Sequence, residues 1–204
     1  MGFLGALTHG CTIVYPSQQF DAEAVIHAVE TERCTVIYGV PTMFNTELDV
    51  LAKAGRKLST LRVALAAGSP VLPTTMKRIE KEMGIKSVLI AYGMTETSPV
   101  TFNTNPDDTL DRLLKTVGTV LPHTGAKIVD AAGKTLPCGV AGEICTSGYA
   151  LQQGYYKNPA KTAEVMRTDA DGILWMHTGD EGIIDADGYC RVTGRLKDMI
   201  IRGV

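Results

Sequence analysis

The chain has 204 residues, with 20 Lys and Arg against 22 Asp and Glu, a formal net charge of −2 and 45% hydrophobic residues. That length and apolar fraction allow a substantial core, while the near-neutral balance offers no basic field for nucleic acid. The apolar run Met1 to Leu7 is too short to span a bilayer and lacks a basic flank, and Ala6 stands where a myristoylation signal needs Ser or Thr.

Asp21 reads as the N-cap of a helix that places Ala22, Val25, Ile26 and Val29 on one face and leaves His27 to solvent. Strand-like runs follow at Thr35 to Val40 and Arg62 to Ala67. Between the second strand and the next helix, Ala66-Ala67-Gly68-Ser69-Pro70 has the composition of a strand-to-helix turn. That helix starts near Pro73, aligns Leu72, Met76, Ile79 and Met83, and closes at Gly84. Ser87 to Ala91 (SVLIA) then reads as a buried strand. Such alternation of strands and helices predicts a parallel sheet.

The periodicity changes near Val117. Turn signals dominate from there, at Asp130 to Gly133, Pro137 to Gly139, Asp171-Gly172 and Asp187-Gly188, with β-rich segments such as Ala126 to Val129 and Cys190 to Thr193 between them. A compact antiparallel barrel is expected. The fold class is therefore α/β: a parallel βαβ subdomain over 1–116, then a small β-barrel-like subdomain over 117–195. No repeat or low-complexity linker separates them, so the boundary near Thr116 reads as a seam.

Ligands of open α/β sheets gather at the carboxyl ends of strands, which draws attention to Tyr92-Gly93-Met94-Thr95-Glu96 after SVLIA. Tyr92 offers a flat face for a base and Gly93 allows close backbone approach. Thr95 can donate to a phosphate, and Glu96 supplies a hard oxygen for Mg²⁺. A core Tyr followed by a turn Gly and a solvated Thr-Glu-Thr fits the same residues.

The remaining chemistry-bearing residues have plainer readings. Cys11, Cys34, Cys138, Cys145 and Cys190 are odd in number and form no CxxC pair, which favours reduced core thiols and an intracellular compartment. His9 and His123 have no partner at ligand spacing. Asp185-Ala186-Asp187-Gly188 resembles the start of a calcium loop but lacks a closing Glu at the required spacing, so it reads as a hairpin turn.

Further along come His177-Thr178-Gly179-Asp180 and Gly194-Arg195-Leu196-Lys197-Asp198-Met199-Ile200-Ile201-Arg202-Gly203. Together with YGMTE these resemble the adenylate-forming superfamily, which activates carboxylates with ATP. VPTMF at Val40 to Phe44, AAGSPVLP at Ala66 to Pro73, VGTVLPHT at Val117 to Thr124 and GEICTSGYALQQGYY at Gly142 to Tyr156 fall in the family's order. Within the superfamily, YG-T-E-SPVTF ending at Phe102 and KDMIIRG from Lys197 look most like medium-chain fatty acyl-CoA synthetases.

The resemblance implies a set of roles. The backbone at Gly68-Ser69-Pro70 and the ring of Tyr92 would flank adenine, with Gly93 beside them. Asp180 would hold the ribose hydroxyls and Arg195 would contact ribose and phosphate. Thr95 and Glu96 would serve the α-phosphate and Mg²⁺. Lys197 would be the hinge to a carboxyl-terminal domain, making 196–204 a connecting segment. Val40, Met94 and Val100 would line the acyl tunnel. Implied substrates are ATP, CoA and a fatty or other carboxylic acid; cytoplasm, mitochondrion and peroxisome all remain open. The family's phosphate loop is expected upstream of Met1 and its second catalytic Lys downstream of Val204, so the chain reads as a central fragment unable to complete adenylation alone. An aryl-CoA ligase, another adenylating enzyme and a truncated, non-catalytic adenylate-binding protein stand as alternatives.

Overall fold

The computed structural model describes residues 2–69 and 71–196. Two compact units emerge: the first runs through Ala91 and takes in Asn105–Leu114, and the second comprises Tyr92–Thr104 with the chain from Lys115 onward.

In the first unit the apolar amino-terminal stretch forms a short helix, α1 (Gly2–Thr8), with Phe3, Leu4 and Leu7 exposed. The helix capped by Asp21 is therefore the second, α2 (Ala22–Glu32); the Asp21 carboxylate accepts from the Ala24 amide at 3.1 Å. Ala22, Ile26 and Val29 are buried and His27 is exposed, as the periodicity predicts. β1 (Val36–Gly39), α3 (Pro41–Ala54), β2 (Val63–Ala67), α4 (Pro73–Met83) and β3 (Ser87–Tyr92) follow in alternation. Pro at the first turn of α3 and α4, and a left-handed Gly55 or Gly84 after each, mark where these helices begin and end.

β1 pairs with β2, and β2 with β3, all in parallel. Ile37, Ala64 and Val88 stand opposite one another across the three strands and are all buried. On α4, Met76, Ile79 and Met83 are buried, but Leu72 is 64% exposed, contrary to the expected alignment. Leu72 is the N-cap residue with extended backbone, so its side chain does not follow the helical stripe.

The second unit is built mainly from antiparallel strands. β4 (Phe102–Asn103) pairs with β5 (Thr119–Val120), and the helix between them, α5 (Leu110–Lys115), belongs to the first unit but for its last residue. β6 (Thr124–Val129), β7 (Gly142–Gly148), α6 (Pro159–Val165), β8 (Met166–Thr168), β9 (Leu174–Ile184) and β10 (Cys190–Arg195) complete it. The strand order β10-β9-β7-β6, with β8 also on β9, makes a curled, open half-barrel rather than a closed one. Its core is Phe102, Ile128, Ile144 and Cys190, with Tyr92 and Ile184 packed against it. Because side chains alternate along a strand, Ile144 faces this core while Glu143 and Cys145 point to the other face.

The β9–β10 hairpin contains the Asp185 to Gly188 run. Its Asp185 side chain accepts from the Asp187 and Tyr189 amides, the expected turn and not a calcium loop. All five cysteines are free, but only Cys145 and Cys190 are buried; Cys11 and Cys138 are exposed and Cys34 is half-buried, so the core reading fails for those three. Burial pushes the Cys145 and Cys190 thiols up to about 12. Among the described residues, no helix is long and apolar enough to cross a membrane.

Candidate functional site

The strand β9 is interrupted where it matters. Cys145 pairs with His177 and Glu143 with Glu181, so one residue of β7 faces the three residues Thr178-Gly179-Asp180. On the other side, β9 and β10 slip between Val192 and Gly194, and Arg195 then stands directly opposite Asp180. A bulge of this kind bends the strand and re-aims a side chain while removing backbone groups from the ladder. Gly179 takes the left-handed conformation, φ 74°, that the bend requires.

The displaced groups are captured by side chains. Glu143 Oε1 accepts from the Gly179 amide at 3.0 Å. The Thr178 hydroxyl donates to the Ile144 carbonyl at 2.8 Å and accepts from the Asp180 amide at 3.1 Å. Thr178 and Asp180 are both buried. Asp180 thus projects from a bulge whose backbone is held on both flanks.

Its carboxylate is engaged at both oxygens. The Tyr92 hydroxyl donates to Oδ2 at 2.7 Å and Arg195 Nε donates to Oδ1 at 2.9 Å. Tyr92 in turn packs at 6.1 Å against the Phe102 ring. Burial first, and then the hydrogen bond to Asp180, hold the Tyr92 phenol far above its ordinary range, so it remains a donor. The Arg195 side chain is 61% exposed. Three residues singled out in the sequence, Tyr92, Asp180 and Arg195, therefore meet in one cluster.

Thr95 and Glu96 sit just beyond Tyr92 on a short 3₁₀ turn, Thr95–Thr97. Thr97 fixes that turn, its hydroxyl accepting from the Met94 amide at 3.1 Å and donating to the Met94 carbonyl at 3.0 Å. Thr95 is exposed and Glu96 half-buried. Glu96 Oε1 accepts from the Tyr155 hydroxyl at 2.7 Å, and the Glu96 carbonyl accepts from the Gln152 amide at 2.9 Å. That hydrogen bond, with burial, raises the Tyr155 phenol. Met94 is half-buried and Val100 buried on the same loop.

Gly93 has a steric reason of its own. A Cβ there would collide with the Pro99 carbonyl, so the loop's own backbone already demands a glycine at this position. In the first unit Gly68 follows β2 with φ 88°, and a Cβ on it would meet Val40 Cγ1 at 3.3 Å. Gly68 and Ser69 thus lie at the carboxyl end of a parallel strand, and Val40 is the N-cap of α3. Pro70 and Lys197 lie outside the described residues.

Sequence reasoning missed Glu143, Thr178 and Tyr155. Glu143 and His177 lay inside quoted motifs, but a bulge cannot be read from alternation, and only the bulge gives Glu143 its partner.

Glu143, Cys145 and His177 are also the described group whose donor atoms come within 4.8 Å of one another. The distance from Glu143 Oε2 to His177 Nδ1 is 2.7 Å, a hydrogen bond. Two ligands of one tetrahedral zinc would stand roughly 3.4 Å apart. At 2.7 Å the Glu143–His177 pair reads as a hydrogen-bonded one.

The family described as AMP-binding enzyme matches residues 1–156. The acyl-CoA ligase sidI of Aspergillus fumigatus is 47% identical over 203 residues, covering 100% of this chain and 34% of that relative. A mitochondrial medium-chain acyl-CoA ligase, ACSF2 of Danio rerio, is 42% identical over 196 residues, covering 96% of this chain and 32% of that one. Among solved structures, O-succinylbenzoate coenzyme A synthetase from Bacillus subtilis, in complex with ATP and magnesium, superposes with a TM-score of 0.80 at 26% identity; 99% of this chain and 40% of that one are covered. The chain thus spans about a third of the length of the curated relatives it matches.

Proposed function

The chain belongs to the AMP-binding enzyme family, and on that premise we propose that it carries the nucleotide-binding residues of an acyl-CoA ligase. The reaction is conversion of a carboxylic acid, ATP and CoA to acyl-CoA, AMP and pyrophosphate. One acid oxygen attacks the α-phosphorus as the bond to pyrophosphate breaks, giving an acyl-adenylate. The CoA sulfur then displaces AMP. Medium-chain fatty acids are the proposed substrates, in keeping with the ACSF2 relative.

The observation that carries this reading is the convergence of Tyr92 and Arg195 on Asp180. An ionised carboxylate accepts hydrogen bonds from both hydroxyls of a ribose, and a fixed carboxylate does so without first having to be ordered. Arg195, whose permanent charge and planar fork suit an anion, answers the phosphate beside that ribose. Thr95 donates to an α-phosphate oxygen as negative charge gathers there. Glu96, with Thr95, would hold Mg²⁺, which supplies charge neutralisation during departure of pyrophosphate. Tyr155 keeps the Glu96 carboxylate oriented through its 2.7 Å hydrogen bond. Met94 and Val100, on the same loop, face the acyl chain.

Calorimetric titration with non-hydrolysable acyl-adenylate analogues of several chain lengths tests the proposal. Binding that peaks at a medium length supports it; a preference for aromatic acyl groups favours an aryl-CoA ligase. Absence of binding by a folded chain overturns it.

A further inference from the structure

We infer that Glu143, held by His177, is the positioning residue for Asp180. This rests on the reading of Asp180 as the ribose ligand. The bulge at Thr178-Gly179-Asp180 takes the Gly179 amide out of the β7–β9 ladder, and Glu143 Oε1 replaces the lost carbonyl at 3.0 Å. Glu143 is therefore the side chain that pins the residue immediately before Asp180. Its other oxygen, Oε2, lies 2.7 Å from His177 Nδ1, on the residue that begins the bulge. A carboxylate only accepts, so Nδ1 carries the proton and the imidazole fixes the direction in which Oε1 points. One carboxylate thus ties both ends of a three-residue stretch, His177 to Gly179, to strand β7.

Geometry separates this role from a packing one. The two oxygens of Glu143 are taken up by the Gly179 amide and His177 Nδ1, and alternation along β7 places its side chain on the face opposite the core of Phe102, Ile128, Ile144 and Cys190. Its influence on nucleotide binding must pass through the backbone of Gly179 into Asp180. A side chain that acts only through a second one loses its effect when the second is removed.

The experiment is a double-mutant cycle on affinity for a non-hydrolysable acyl-adenylate analogue, with thermal unfolding of each variant. Glu143→Ala weakens binding about tenfold in the native background, the scale of losing two hydrogen bonds to one carboxylate. In the Asp180→Ala background the same change costs less than about twofold. Glu143→Gln, whose amide oxygen still accepts from Gly179, stays within about threefold of the native chain. Equal losses from Glu143→Ala in both backgrounds would overturn the inference, as would a tenfold loss in a well-folded Glu143→Gln. If Asp180→Ala itself leaves affinity unchanged, the ribose assignment fails instead, so the two failures are distinguishable.

Discussion

Asp180 in the second unit and Glu47 in the first are both buried carboxylates, at 8% and 1% exposure, yet their surroundings are opposite. Asp180 receives Tyr92 and Arg195 on its two oxygens, while its backbone is held by Thr178 and, through Gly179, by Glu143. Neither oxygen of Glu47 has a hydrogen-bond partner among the described residues. Burial alone pushes the Glu47 carboxyl up to about 7, so below that pH the neutral acid predominates inside α3. A carboxylate that must stay charged for a ligand is supplied with donors; one buried on a helix whose other buried residues are Phe44, Leu48 and Leu51 can give up its charge.

The largest effect that would sharpen this contrast lies at Glu47. Its folded pKa stands above the unfolded value of 4.5, so between the two the folded state holds the extra proton. Stability is then fully present below about 4.5 and falls as pH rises through about 7, by an amount on the order of 3 kcal/mol. Glu47→Gln should remove that slope, and urea unfolding from pH 4 to 8 will show it. A wild-type stability that rises over that range would break the contrast.

Next in size is Asp180→Ala, expected to weaken binding of an acyl-adenylate analogue by about 1.5 to 3 kcal/mol, the scale for a charged hydrogen-bonding partner. Calorimetry reads this directly. Smaller still is Tyr92→Phe, which deletes one donor to Asp180 and keeps the ring against Phe102; a loss of about 1 kcal/mol in the same titration is expected. The smallest is Tyr155→Phe. It frees Glu96 Oε1 and should raise the Mn²⁺ concentration for half-saturation, read by electron paramagnetic resonance, by about threefold, with nucleotide affinity in the absence of metal unchanged.

Much of this architecture was legible beforehand because it depends on local signals. Asp21, Pro73 and Gly84 mark helix ends through their own backbone and capping preferences, and Met76, Ile79 and Met83 repeat at helical spacing. Tyr92, Asp180 and Arg195 were recognisable from motif likeness, although they are far apart in the chain. What the sequence did not reveal depends on register. The bulge in β9 is set by how β7 and β10 pair with it, so the roles of Glu143 and Thr178 appear only in the folded sheet. Leu72 shows the converse: its spacing fits the α4 stripe, but an extended N-cap takes it out of the helix. Gly93 was legible as a needed glycine, while the neighbour that needs it, Pro99, was not.

The most direct test of the account compares two analogues, an acyl-adenylate mimic with an intact ribose and the same compound lacking both ribose hydroxyls. If Asp180 grips the ribose, the native chain will prefer the intact sugar by about tenfold or more, and Asp180→Ala will bind the two almost equally. Equal affinities in the native chain, or an undiminished preference in Asp180→Ala, would contradict it.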